Sequence, residues 1–201
     1  AGHRPLTGWR LMSALRAAVV GVGYLGRFHA RKYHEHPDVE LVGVVDTDAG
    51  RAAQVAGECR TEAFTTLDPV LDKVDLLSIA VPTRFHFEVA KRCLAAGRHI
   101  LLEKPITQTV AEADQLIEAA RRANLVFQVG HLERFNPAVT ALEGVLTNPQ
   151  FIESHRLSAF KPRGTDVNVV LDLMIHDIDI LLRMVPHKLK TINSVGGPVL
   201  S

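Results

Sequence analysis

The stretch Val19-Val20-Gly21-Val22-Gly23-Tyr24-Leu25-Gly26 ends one apolar run in three closely spaced glycines, and a single carboxylate, Asp46, closes the next apolar run. Gly21 permits a tight turn from strand to helix, Gly23 lets the backbone approach a phosphate without a Cβ in the way, and Gly26 lets the helix pack closely. A helix opening at Tyr24 and Leu25 directs unpaired N–H groups and its positive dipole end at an anion. Asp46 stands where a carboxylate accepts both hydroxyls of an adenosine ribose and repels a 2′-phosphate. The two features together predict a dinucleotide site and favour NAD(H) over NADP(H). A glycine turn of some other α/β protein is the alternative for the triplet alone, and Arg51 reads as a solvated charge on the helix that follows.

The flanking pattern agrees with the dinucleotide reading. Short apolar runs at 16–20, 41–45, 62–65, 74–81, 99–102 and 126–129 alternate with amphipathic stretches. Helices are expected over 24–35, over 84–96 with Gly97 as the stop, and over 110–123 with Thr109 as the cap. Strands alternating with helices imply an α/β fold: a doubly wound, Rossmann-type parallel sheet covered on both faces, with ligands beyond the carboxyl ends of its strands. We divide the chain into an extension over 1–14 outside the fold, a dinucleotide-binding domain over 15–130, and a partial second domain over 131–201. In that last part we expect a helix over 137–146, an extended stretch over 151–160, a polar loop over 161–166, a buried apolar helix over 169–185 and a strand over 189–195. Two strands and a helix make a poor domain alone, so an incomplete α+β unit is expected there.

The bulk numbers exclude several classes. With 47% hydrophobic and 22% charged residues in 201, the chain can bury a core. A net charge of +1, with basic residues spread over separate helices, forms no continuous basic stripe, which argues against nucleic acid as a partner. No apolar run reaches the roughly 18 residues of a membrane span, and the first residues lack a signal-peptide pattern, so a cytoplasmic location is expected. Cys59 and Cys93 lack metal-ligand spacing and read as reduced packing residues.

Two constellations carry chemistry. Pro82, Thr83 and His86 follow the fourth run, and Glu103-Lys104-Pro105 follows the fifth, the positions from which a doubly wound sheet meets the nicotinamide end of its ligand. An ammonium held at a strand end can orient a hydroxyl or stabilise a developing oxyanion, although a surface lysine paired to Glu103 would give the same local sequence. Asp172, His176 and Asp179, spaced i, i+4 and i+7, fall on one face of an otherwise apolar helix. Polar groups buried there are costly unless paired or in use. The alternative is a His–Asp hydrogen bond that only ties the helix to its neighbours. Zinc would need a third ligand that the sequence does not supply, so no metal is expected.

These motifs, in this order, resemble those of the Gfo/Idh/MocA oxidoreductases, and the resemblance covers nearly everything from Leu15 onward. It implies an N-terminal Rossmann domain and a C-terminal domain built on an open, mainly antiparallel sheet that forms the interface of a homo-oligomer. It implies oxidation of a sugar or related hydroxyl with NAD, Lys104 as the catalytic lysine, His176 as the acid/base, Asp172 as its partner or a substrate-positioning group, and Asp179 near the substrate. The segments Gly130-His131-Leu132-Glu133-Arg134-Phe135-Asn136-Pro137 and Phe160-Lys161-Pro162-Arg163-Gly164-Thr165-Asp166 are similar to the branch that oxidises the 3-hydroxyl of UDP-N-acetylglucosamine. On that similarity Arg134, Asn136 and Arg163 contact the substrate, the arginines through its diphosphate. Family members run well beyond 201 residues, so a C-terminal truncation that leaves the second sheet unfinished is expected. Rival readings are a non-catalytic NAD(H)-binding sensor, and a dehydrogenase of free sugars or cyclitols.

Overall fold

The computed structural model describes residues 14–157, 168–185 and 187–197. The extension over 1–13, Arg163 and the polar loop around it lie outside the described residues.

Six parallel strands form the centre: β1 Leu15–Val20, β2 Val39–Val45, β3 Glu62–Phe64, β4 Leu76–Ile79, β5 His99–Leu102 and β6 Phe127–Val129. Their order across the sheet is β3-β2-β1-β4-β5-β6. The order reverses between β1 and β4, and the crevice outside that point is where such sheets take their ligands. Helices α1 Tyr24–Glu35, α2 Ala49–Cys59, the short α3 Asp68–Leu71, α4 His86–Ala95 and α5 Val110–Arg122 make the crossovers.

The central strands are largely apolar on both faces because each face meets helices. Val19 and Val44 join Ala30, Val55 and Ala56 beneath α1 and α2. Val20, Val45, Leu77, Ile79, Ile100 and Leu102 turn the other way and pack on Ala90, Leu94, Leu116 and Ala120 of α4 and α5. Thr109 caps α5 in a reciprocal box: its hydroxyl accepts the Glu112 N–H, and its own N–H donates to the Glu112 carboxylate. Gly97, at φ +74°, stops the chain just past α4.

The strands stop in step. Val20 pairs Ile79, Ile79 pairs Leu102 and Leu102 pairs Val129. The next residue of each of three strands donates its N–H across the rung: Ala80 to Val20, Glu103 to Ile79 and Gly130 to Leu102. Gly21, Ala80, Glu103 and Gly130 therefore share one row at the carboxyl edge.

The sequence reading runs long over 74–81 and 84–96. Pro82 has no N–H to donate to a ladder, so β4 ends early, and the chain makes a 3-10 turn over Thr83–Phe85 before α4. Beyond β6 the differences are larger. The helix expected over 137–146 is the single turn α6 Pro137–Thr140. Of the runs expected as strands over 151–160 and 189–195, the described residues form no strand. A strand exists only when a neighbour takes its N–H and C=O groups, and no described segment does so.

The apolar helix begins as a π turn over Val170–Met174 and continues as α7 Ile175–Met184. Its apolar side is not buried as expected. Val169, Val170, Met174, Ile178 and Leu182 are exposed, and Asp179 is the buried residue of α7. The helix turns its polar edge toward the sheet because its partners there are charged. Among the described residues, no helix is long and apolar enough to cross a membrane.

Candidate functional site

Gly21 turns at φ +80° and its N–H donates to Val45 O at 2.7 Å. A Cβ there would lie 2.8 Å from Ala80 O and from Val81 Cγ1, so the position tolerates neither the conformation nor the volume of another residue. A Cβ on Gly26 would lie 1.8 Å from Gly21 O, so the close approach it allows is of α1 onto the turn itself. Gly23 faces open space. It caps α1 without a side-chain hydrogen bond, and no acidic residue stands in the first turn of the helix. The N-terminus of α1 therefore opens onto a space that any Cβ at residue 23 would invade, a cradle that fits the diphosphate of a dinucleotide. Tyr24 and Leu25 are exposed beside it, and the Tyr24 ring meets Phe28 edge-on.

Asp46 is 7% exposed. It accepts the Val22 N–H at 3.0 Å and the Asp48 N–H at 2.9 Å, which aim its carboxylate along the crevice. Arg51 is no free surface charge: its guanidinium lies 3.3 Å from both Asp46 oxygens and also pairs with Asp48.

Of the residues after β4, Thr83 is buried and Pro82 is exposed at the cap of the 3-10 turn. His86, expected to meet the cofactor, is a strut instead. It is 1% exposed, with Nδ1 2.7 Å from Pro105 O and Nε2 2.9 Å from Val81 O, and so ties the segment after β4 to the one after β5. Glu103 also departs from expectation: its carboxylate turns inward, toward His29 of α1 and Gly130.

Lys104 follows, joined to Pro105 by a cis peptide. Its ammonium, 15% exposed, donates to Asp172 O at 2.8 Å and to Asp172 Oδ1 at 3.1 Å. The π turn that carries Asp172 makes i→i+5 bonds, which rotates this carboxylate relative to a regular helix. Asp172 is accordingly the partner of Lys104 and not of His176, which departs from the first of the two roles the resemblance implied for it.

His176 is half-buried, and its Nδ1, shielded from solvent, has no hydrogen-bond partner among the described residues. Burial first, then the charges of Lys104 and Arg156, hold this imidazole below its ordinary range, so the group is neutral near neutrality. A neutral imidazole with its Nδ1 unpaired among the described residues, beside an ammonium, can accept a proton from a hydroxyl placed between them.

Asp179 and Arg134 face each other. Arg134 Nε donates to Asp179 Oδ2 at 2.8 Å, and its Nη2 reaches Oδ1. Burial pushes the Asp179 carboxyl up, but Arg134 and His131 outweigh it and hold the group below the usual carboxylate range. Two donors of the Arg134 fork are thus already used within the protein, where a diphosphate contact was expected. Asn136 caps α6 through Oδ1 to the Ala138 N–H and donates Nδ2 to Glu133. Its side chain is satisfied locally.

His29 and His131 were missed. His131 stands on the edge after β6, its Nδ1 3.9 Å from Asp179 Oδ1. His29 lies on the sheet-facing side of α1 with Gly26, Ala30 and Tyr33. A polar pair one turn apart on an inward helix face was the available signal.

Comparison with known proteins agrees with this geometry. The family model for Gfo/Idh/MocA, described as an oxidoreductase family with an NAD-binding Rossmann fold, matches residues 15–131. UDP-N-acetylglucosamine 3-dehydrogenase from Acidithiobacillus ferrooxidans is 44% identical over 186 residues, 92% of this chain and 59% of that protein. Its solved structure superposes with a TM-score of 0.88 at 43% identity, over 94% of this chain and 63% of that one. The scyllo-inositol 2-dehydrogenase (NAD(+)) of Bacillus subtilis is 29% identical over 90% of this chain and 57% of its own length. GenD2 from gentamicin A biosynthesis, solved in complex with NAD, is 27% identical with a TM-score of 0.77, over 86% of this chain and 54% of that one. The chain therefore spans less than two thirds of the length of each of these relatives.

Proposed function

Because the chain belongs to the Gfo/Idh/MocA oxidoreductase family, whose NAD-binding Rossmann domain it carries over residues 15–131, we propose that it serves an NAD-dependent dehydrogenase oxidising the 3-hydroxyl of a UDP-N-acetyl amino sugar. The observation that carries the chemistry is the meeting of Lys104 with the turn that holds Asp172, with His176 four residues further along held neutral beside them. NAD, seated on Gly21, Gly23, Gly26 and Asp46, supplies the hydride acceptor. His176 takes the proton of the sugar hydroxyl, and Lys104 orients that oxygen and stabilises its growing negative charge. Asp172 holds the ammonium in place. The Arg134–Asp179 pair braces the wall between β6 and α7, and Arg163 is left to meet the substrate diphosphate.

The choice of a sugar nucleotide rests on the 44% identity to the Acidithiobacillus ferrooxidans enzyme. On the same reading, residues 15–130 form the cofactor domain. Residues 131–201 open a substrate domain with a mainly antiparallel sheet, through which a cytoplasmic homo-oligomer assembles. The test follows NADH formation with UDP-N-acetylglucosamine, its epimers, free sugars and inositols. Turnover on UDP-linked amino sugars alone is expected. Preferential oxidation of inositol would replace the substrate assignment, and tight NADH binding without turnover on any of them would replace the catalytic one.

A further inference from the structure

β4 carries one polar side chain into an apolar sheet. Ser78 is fully buried, and it points to the α1 side, opposite Leu77 and Ile79. A hydroxyl so placed needs a partner. His29 of α1 supplies one, with Nδ1 in hydrogen-bond reach of Ser78 Oγ. Tyr33, one turn on, bonds the same hydroxyl, and burial raises its phenol above the usual range.

The second nitrogen of His29 continues the chain of contacts. Nε2 stands 3.1 Å from Glu103 Oε1, at ion-pair distance but off the hydrogen-bond line, and Oε1 has no hydrogen-bond partner among the described residues. Glu103 is 4% exposed. Its other oxygen accepts the Lys104 N–H at 3.3 Å. The carboxylate also rests on Gly130, where an added Cβ would come within 2.8 Å of Oε1. The carboxylate is therefore clamped between an imidazole and a backbone, and it holds the amide of the residue whose ammonium reaches Asp172.

We propose that His29 is a positioning residue for Lys104: braced by Ser78, it fixes the Glu103 carboxylate against Gly130, and Glu103 fixes the backbone from which the Lys104 side chain extends. The helix that begins at the dinucleotide turn is thereby joined to the lysine through a buried polar path of three side chains. The placement of Lys104 rests on these contacts together with its bonds to Asp172. Only the consequence for turnover rests on the function proposed above.

The experiment measures Lys104 directly. The purified chain is treated with limiting acetic anhydride, and acetylation of each lysine is quantified by mass spectrometry, with exposed Lys32 and Lys91 as internal references. His29→Leu fills the space without either nitrogen, whereas His29→Gln carries an amide toward the place of Nε2. Lys104 acetylation, relative to the references, is expected to rise threefold or more in His29→Leu and to stay within about 1.5-fold of wild type in His29→Gln. Should His29→Leu fail to fold by circular dichroism, Gly130→Ala is read instead, since its Cβ displaces the same carboxylate, and the same rise is expected. An unchanged Lys104 rate in the folded variant, or an equal rise at Lys32 and Lys91, overturns the proposal. Turnover measured beside it separates the two ideas. Altered labelling with unaltered kcat would uphold the positioning by His29 while removing Lys104 from catalysis.

Discussion

Two glycines of the turn, two positions apart in sequence, are predicted to fail in opposite ways when given a methyl group. Gly21→Ala forces an L-residue to φ +80° and sets its Cβ 2.8 Å from both Ala80 O and Val81 Cγ1. The left-handed conformation costs about 1–2 kcal/mol, and overpacking at a backbone carbonyl adds about 1–3 kcal/mol. At roughly 2–4 °C per kcal/mol for a chain of this size, the melting temperature falls by about 4–20 °C. Gly23→Ala meets no atom within 4 Å and needs no positive φ, so its melting temperature stays within about 2 °C of the parent. It does fill the space over the α1 N-terminus. A comparable clash of about 1–3 kcal/mol, now with the diphosphate, weakens NADH by about 5- to 150-fold. Thermal melts by circular dichroism and NADH fluorescence titrations on the two variants give the comparison. If Gly23→Ala binds NADH like the parent, or loses as much stability as Gly21→Ala, the placement of the diphosphate on α1 is wrong.

Further expectations concern the charged groups. Asp46→Ala should weaken NADH by about ten- to a hundredfold, from the loss of charged hydrogen bonds of about 1.5–3 kcal/mol, and should narrow the preference over NADPH, as read by paired titrations. Lys104→Ala and His176→Ala should each lower kcat of the active enzyme by about a hundredfold while leaving NADH affinity unchanged, and near-normal rates would remove their roles. His176 is held below its ordinary value of 6.5, so the folded state favours the neutral ring. Its contribution to stability is complete above that pH and is lost as the pH falls from there toward the folded value, so His176→Gln should flatten this part of the acid limb in melts taken at stepped pH. The buried Cys93 thiol, pushed up to about 12 by burial, should react with a maleimide only on unfolding, as followed by mass spectrometry.

The sheet was legible in the sequence because both of its signals are local. Apolar runs of strand length mark the strands, and Thr109 and Gly97 mark helix ends through bonds to near neighbours. The turn at Gly21 and the close approach at Gly26 were legible because a tight strand-to-helix crossing needs glycine at that spacing. What escaped were pairs that the fold alone brings together. Arg134 and Asp179 are 45 positions apart. His86 looks like a ligand contact because it follows a strand at the carboxyl edge, yet its nitrogens face two carbonyls set by the packing of adjacent loops. Asp172 and His176 suggested a dyad from their spacing, whereas the Asp172 carboxylate meets Lys104, 68 positions away. The extended runs after residue 150 carry strand-like composition, but pairing is a property of two segments, and composition reports on one.

The common rung on which β1, β4, β5 and β6 stop has a bearing on how such a scaffold can change. A strand advances about 3.3 Å per residue and alternates its faces. One residue inserted into β5 would carry the lysine a full step outward and deliver it to the opposite side of the sheet. Strand length is thus the ruler of this edge, tightly constrained, whereas the segments beyond the rung, which His86 ties together after β4 and β5, can be exchanged as a set. New specificities can be grafted onto those segments without re-cutting the layer beneath.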